Sequence, residues 1–376
     1  SGVLLALAPS RSHATAPRAR RGPAAPARVG AAPPPAGVAP ANVAPSVGNP
    51  ATLLSACNRG VHQSCSDLGF AYERGRGVPA DFARAVEFYE RACNGGFISG
   101  CNNLGVMLET GRGTLRDIPR AIEMYTRACD DGNLGGCSNL GVLFERGNGV
   151  PRDEQQAVQL YTRACDGGDM GGCSNLGVMY GAGRGVPRDD ARAVALYTRA
   201  CNANDAHSCS NLGSRYERGE GVARSEVAGA NYYRRACDLG DPEGCSNYGV
   251  MLDNGRGVPQ NMSAAIELFR RACDANAADG CGNLAIMYEN GRGTVANLPL
   301  AAQLHQRACE GGDMRACNSL GFMFDHGRGV PEMPVRSVAL FRQACERNNA
   351  HACSNLGVMY ENGRGGIVAD RAHALG

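Results

Sequence analysis

The stretch RACDGGDMGGCSNLG, Arg163 to Gly177, sets Cys165 and Cys173 eight positions apart on either side of a glycine-rich break. The same pairing runs the length of the chain: Cys57 with Cys65, Cys93 with Cys101, Cys129 with Cys137, Cys165 with Cys173, Cys201 with Cys209, Cys237 with Cys245, Cys273 with Cys281, Cys309 with Cys317, and Cys345 with Cys353. Every pair is C-x7-C, each lies 36 residues after the last, and no cysteine is left over. A fixed period of about 20 to 50 residues marks a stacked repeat array, in which each unit touches only its neighbours.

One copy defines the unit. In CSNLGVMYGAGRGVP, residues 173–187, Cys173, Leu176, Gly177 and Tyr180 recur at i, i+3, i+4 and i+7, one face of a helix, here called helix A. Gly183 and Gly185 end it, because glycine takes the left-handed conformation that closes a helix C-terminus. A second helix, B, begins after Val186-Pro187. Its expected capping column reads Asp81, Asp117, Asp153, Asp189, Ser225, Asn261 and Asn297, broken only by Met333. Ala193, Tyr197, Ala200 and Cys201 share one face of helix B, and Gly and Ala at the facing positions let the two helices approach closely.

In one continuous helix Cys165 and Cys173 would stand about 12 Å apart, too far for a bond. With a turn between them, Cys165 ends one helix B and Cys173 opens the next helix A, close enough to be joined. Zinc sites favour C-x2-4-C spacing and need four ligands. The histidines, His13, His62, His207, His305, His326, His351 and His373, do not follow the period, and the C-x-x-C of redox sites is absent. The expectation is therefore no metal and no cofactor, with disulfides set against reduced core cysteines as the alternative. Disulfides would imply an oxidising compartment, secreted or periplasmic.

A net charge of +2 in 376 residues argues against a nucleic-acid partner. All 38 basic residues are arginine, a bias consistent with a GC-rich coding sequence. Residues 1–8 carry Val3 to Ala8, which resembles the end of a signal peptide with Ala6-Leu7-Ala8 in the A-x-A form; a chance apolar hexapeptide is the alternative. Residues 9–50, rich in Ala and Pro with five arginines and no acidic residue, read as a disordered tether. No later segment is long and apolar enough to span a bilayer. Residues 51–376 form the expected array: a partial first helix pair, eight full repeats over 61–348, and a partial last repeat over 349–376. The end, GIVADRAHALG, starts a helix B without its cysteine, as an atypical cap or a fragment would.

Helix pairs carrying NLGVMYGAGRGV (Asn175 to Val186) and RAVALYTRAC (Arg192 to Cys201) resemble the Sel-one-like repeat (SLR) family, relatives of tetratricopeptide repeats. The C-x7-C in every copy narrows the resemblance to the secreted cysteine-rich branch, the Helicobacter cysteine-rich protein type. It covers residues 51 to about 370. It implies an all-α fold, a right-handed α-solenoid with one disulfide per helix pair, and a scaffold for protein complexes. For some cysteine-rich members it also implies penicillin binding and β-lactamase activity. Departures are Ala285 for the helix A glycine, Ser319 for the helix A asparagine, and Gly366-Ile367 for Val-Pro.

On a helical wheel, the position opposite the core face of helix A holds Asp67, Asn103, Asn139, Asn175, Asn211, Asn247, Asn283, Ser319 and Asn355. A ladder of amides offers donors and acceptors that would clamp the backbone of an extended peptide. Equally, each could bond a neighbouring repeat to fix the stacking. The binding reading places Asn103, Asn139, Asn175, Asn211, Asn247, Asn283 and Asn355 on the inner curve of an SLR-like solenoid. The loop column Arg76, Arg112, Arg184, Arg256, Arg292, Arg328 and Arg364 reads as solvated or as capping helix ends, with an anionic partner as the weaker use. Serine β-lactamase chemistry of the S-x-x-K type needs a lysine, and the chain has none. The expected function is a secreted or periplasmic scaffold binding protein or extended peptide through the concave helix A face. The alternative is a β-lactamase-like hydrolase or penicillin- or cell-wall-binding protein.

Overall fold

The computed structural model describes residues 48–366; the expected signal-peptide remnant, nearly all of the tether and residues 367–376 lie outside them. Among the described residues the chain is all helical. After α1 (Pro50–Asn58), helices A are α2 (His62–Arg74), α4 (Ile98–Thr110), α6 (Leu134–Arg146), α8 (Met170–Ala182), α10 (Ala206–Arg218), α12 (Pro242–Asn254), α14 (Ala278–Asn290), α16 (Met314–His326) and α18 (Ala350–Glu361). Helices B are α3 (Phe82–Asn94), α5 (Ile118–Asp130), α7 (Glu154–Gly167), α9 (Asp190–Asn202), α11 (Glu226–Asp238), α13 (Met262–Asp274), α15 (Leu298–Glu310) and α17 (Pro334–Glu346). Each packs on the next in chain order, forming a solenoid of helix pairs.

The local signals act as the sequence indicates. Helix A ends at a left-handed residue such as Gly183, φ 66°. Every expected helix B cap accepts a backbone N–H, as Asp189 does from Arg192, and Met333 makes no side-chain cap. A second capping column escaped the sequence reading: Asn133, Asp169, Asp205, Asp241, Asp313 and Asn349 cap helices A. The tight turn from B to A requires a left-handed residue, filled by Gly168 at φ 101° and, in another repeat, by Asn204 at φ 67°.

All nine cysteine pairs are disulfides, with Cα–Cα distances from 4.4 to 4.7 Å. Each joins the last turn of one helix B, or of α1, to the first turn of the following helix A. The backbones meet this closely because a small pair sits beside the bond: a Cβ on Gly136 would lie 2.7 Å from Ala128 Cβ.

Inside each pair the packing is a ring laid on a bare backbone. Tyr161 is fully buried, and a Cβ on Gly141 would meet its ring at 2.7 Å. The same contact pairs Gly105 with Tyr125, Gly213 with Tyr233 and Gly249 with Phe269. In one repeat both partners change together: Ala285 replaces the glycine where His305, a smaller ring, replaces the tyrosine.

The buried tyrosine hydroxyl donates to a helix A carboxylate, Tyr161 to Glu145 at 2.7 Å and Tyr89 to Glu73 at 2.8 Å. Burial first, and the adjacent carboxylate second, push these phenols far above their ordinary range. The carboxylate is then met by the loop arginine of the next repeat: Arg184 to Glu145 at 2.8 Å, Arg112 to Glu73 and Arg328 to Glu289 at 3.3 Å, Arg292 to Asp253 at 2.8 Å, Arg364 to Asp325 at 3.3 Å, and Arg256 to Glu217. Six members of the arginine column, each still partly exposed, tie successive repeats, and Arg364 also donates to the Asp325 carbonyl in the last turn of helix A. One repeat inverts the charges. Gly181 stands in the carboxylate column and Glu220 in the arginine column, and Arg215 fills the gap, 2.9 Å from Asp190 and 2.7 Å from Glu220. A Cβ at Gly181 would lie 2.3 Å from the Arg215 guanidinium. Tyr197, facing that cation, is pushed by burial only to about 12, with Arg215 pulling it back.

Two outcomes follow from this packing. Replacing Cys165 and Cys173 together by Ala should cost about 2 to 3 kcal/mol, the chain-entropy value for a loop this short. Hydrogen exchange should show the loss in α7, α8 and the flanking repeats while distant pairs keep their protection. Arg184, first, and Arg152 hold the Glu154 carboxyl below its ordinary value by hydrogen bonding. Its contribution is therefore complete above the usual glutamate pKa and disappears as pH falls through the lowered one. Thermal melts of Glu154→Gln should lie below the parent by a constant margin from neutrality to about pH 5, with the margin closing below about pH 4.

Candidate functional site

The asparagine column lies along helices A, and the structure places none of its members in the open. Asn103, Asn139, Asn175, Asn211, Asn247, Asn283 and Asn355 are all half-buried. A wheel places a residue relative to its own helix only. Three amides reach back one repeat: Asn139 Nδ2 donates to Asn102 Oδ1 at 2.9 Å, Asn283 to Ser246 Oγ at 3.1 Å, and Asn355 to Asn318 Oδ1 at 2.8 Å. Asn211 Nδ2 is enclosed without a partner. Among the described residues, the side chains of Asn103, Asn175 and Asn247 make no hydrogen bond. The column thus divides into members that tie repeats, Asn139, Asn283 and Asn355, and members whose amides are unused, Asn103, Asn175, Asn211 and Asn247.

Successive helices A also touch one another, α2 with α4, α6 with α8, α10 with α12 and α12 with α14. Val178 is half-buried and Met179 is fully buried between helices, so both serve packing.

A charged row that the sequence reading missed crosses the first turns of helices A. His207, Glu243, Asp279, Arg315 and His351 occupy equivalent positions in five consecutive repeats. Arg315 spans Asp279 at 2.8 Å and Asp313 at 3.2 Å. The carboxyls of Asp241, Glu243 and Asp279 all stand above their ordinary values, first through the surrounding protein; for Glu243 repulsion from Asp241 and Asp279 adds to this, and for Asp279 repulsion from Asp313 does. The Asp279 side chain is nevertheless 65% accessible, so water screens much of that effect. The signal was the 36-residue register itself, followed at the cysteine, asparagine, capping and arginine columns but not at this one. Among the described residues no three His, Cys, Asp or Glu side chains gather in a way that could hold a metal ion, and no helix is long and apolar enough to cross a membrane.

The Sel1 repeat family model matches nine consecutive segments, residues 62–97, 98–133, 135–169, 172–205, 206–241, 242–276, 278–313, 315–349 and 350–376. No curated protein sequence matches the chain. Among solved structures, the chain is similar to a protective antigen of uropathogenic Escherichia coli strains displaying an SLR fold, at 25% identity over 87% of this chain and 78% of that one, TM-score 0.58. It is also similar to a Sel1 repeat protein from Oxalobacter formigenes, at 25% identity over 82% of this chain and 90% of that one, TM-score 0.58. Helicobacter pylori cysteine rich protein B aligns at 32% identity over 37% of this chain and 99% of that one, TM-score 0.30. With its repeats matched from residue 62 onward and a disulfide joining each helix A to the helix before it, this chain belongs to the Sel1 repeat family.

Proposed function

We propose that the protein is a binding scaffold that receives an extended segment of a partner protein along the face formed by helices A. The observation that carries this reading is the set of half-buried amides at Asn103, Asn175 and Asn247 that no residue of the described chain uses. A half-buried amide without a partner leaves a donor and an acceptor unmet, and an extended backbone supplies both at regular intervals. Contact between successive helices A supports placing them on the inner side of the curve. Closed disulfides in every repeat support an oxidising compartment outside the cytoplasm. No observation favours the hydrolase alternative, and nitrocefin should be turned over no faster than by buffer.

Peptides selected from a displayed random library on the intact array would serve as probes. Asn175→Ala with Asn247→Ala should weaken the selected peptides by about 0.5 to 1.5 kcal/mol per lost hydrogen bond while leaving the melting temperature nearly unchanged. Asn139→Ala with Asn283→Ala should do the reverse, lowering the melting temperature because these amides tie repeats. Destabilisation by the first pair with unchanged affinity at low temperature would assign the whole column to stacking.

A further inference from the structure

Among the described residues, Arg76 alone of the loop arginine column pairs with no carboxylate; the other six each meet one in the preceding helix A. Two of those, Arg184 and Arg256, meet a second at the start of a helix B, Glu154 at 2.8 Å and Glu226 at 3.5 Å. Arg76 is held in the same way. Gly75 and Gly77, left-handed at φ 66° and 70°, flank it, and a Cβ on Gly77 would lie 3.2 Å from Pro50 at the start of α1, much as one on Gly185 would press on Glu154. Neither partner carboxylate is supplied. Pro50 takes the place of Glu154 and Glu226, and residues 1–66 hold six arginines and no Asp or Glu.

A second cation converges on the same spot. The Arg76 guanidinium lies 5.1 Å, and that of Arg74 5.7 Å, from the centre of the half-buried Phe70 ring. Arg74 reaches Glu73 only at 4.0 Å, and Glu73 already accepts the Tyr89 hydroxyl at 2.8 Å and meets Arg112 at 3.3 Å. Asp67, one turn before Phe70, forms an ion pair with neither arginine among the described residues. The same constellation recurs seven periods of 36 residues later, where Phe322 stacks on His326 at 4.1 Å and lies 5.8 Å from Arg328. There it is completed by carboxylates. Glu289, from the preceding helix A, stands 3.3 Å from Arg328, and Asp325 stands 3.4 Å from His326.

We propose that Arg76, with Arg74 beside it and Phe70 as its apolar wall, is a seat for an Asp or Glu side chain of the partner segment. A guanidinium presents a planar fork of donors that matches a carboxylate, and the array uses that match at six of its own boundaries. Phe70 shares its column with Val106 and Val178 and follows Asp67 of the asparagine column by one turn, so the seat continues the helix A face at its N-terminal end. The proposal rests on the scaffold reading for the source of the carboxylate, but the seat can be tested by itself.

The probe is acetyl-tetra-aspartate amide carrying a benzophenone, added to the full, disulfide-closed chain at about 20 mM salt, where exposed charges are weakly screened. Photo-crosslinks located by mass spectrometry should fall in α2 and its loop, and the all-asparagine counterpart should give none there. Arg74→Gln with Arg76→Gln should weaken binding by about fivefold, since each exposed pair contributes modestly, while the melting temperature stays nearly unchanged. Arg234→Gln, which removes another exposed arginine, and the triple change Arg18→Gln, Arg20→Gln and Arg21→Gln should leave the crosslinks in α2 and the affinity as they were. Tetragalacturonate, with the same four carboxylates on a sugar chain, should compete less well than unlabelled tetra-aspartate; better competition would assign the seat to an acidic polymer and overturn the peptide source. Crosslinks confined to other residues, equal capture of the asparagine peptide, or full affinity in the Arg74/Arg76 double variant would refute the seat. The Asn175 and Asn247 substitutions leave α2 untouched, so this seat and the amide ladder can each fail alone.

Discussion

A backbone approach of 4.4 to 4.7 Å between the last turn of one helix and the first turn of the next, locked by a disulfide, is the constraint on which this array depends. Only small residues beside the bond allow it, which is why Ala128 faces Gly136. Those glycines have a cost. Helix A reads MGGCSNLGVMYGA in α8, and each internal glycine disfavours the helix by about 1 kcal/mol relative to alanine. Such a helix persists because its ends are fixed: the disulfide and a capping carboxylate hold its first turn, and a left-handed glycine closes its last.

Around that fixed point the interfaces are chemically uniform but not rigid in sequence. Ring on glycine, hydroxyl on carboxylate and carboxylate on the next arginine form a relay crossing one repeat boundary after another. Where one member changes, its partners change with it. Arg215 takes over when Gly181 and Glu220 exchange the usual charges, and Ala285 accompanies His305. Beside Gly282 the compensation comes from the cap of the next helix A, since Asp313 Oδ2 lies where a side chain would stand.

The period, helix boundaries, helix B caps and disulfide pairing were legible in the sequence because each depends on residues close together in the chain. The carboxylate–arginine ties were not, since Glu145 and Arg184 stand 39 positions apart and each alone looks like a solvated residue. Helix A caps such as Asp169 were hidden in a glycine-rich break that reads as turn. The asparagines were placed on the correct helix, but a wheel drawn for one helix cannot show that the array half-buries them. The coupling of His305 to Ala285 required knowing which positions face each other across the pair.

The dependence of the whole array on its staples can be measured directly by far-ultraviolet circular dichroism of the protein with its disulfides closed and after full reduction, without denaturant, at room temperature. Closed loops worth about 2 to 3 kcal/mol each, summed over the repeats, exceed the 5 to 15 kcal/mol net stability typical of a folded domain even if much of the sum is not additive. The reduced chain should therefore lose most of its helical signal at 222 nm and regain it on reoxidation. A reduced protein that keeps the helicity and the melting temperature of the oxidised one would contradict the account, and would assign the stability to the rings and ion pairs alone.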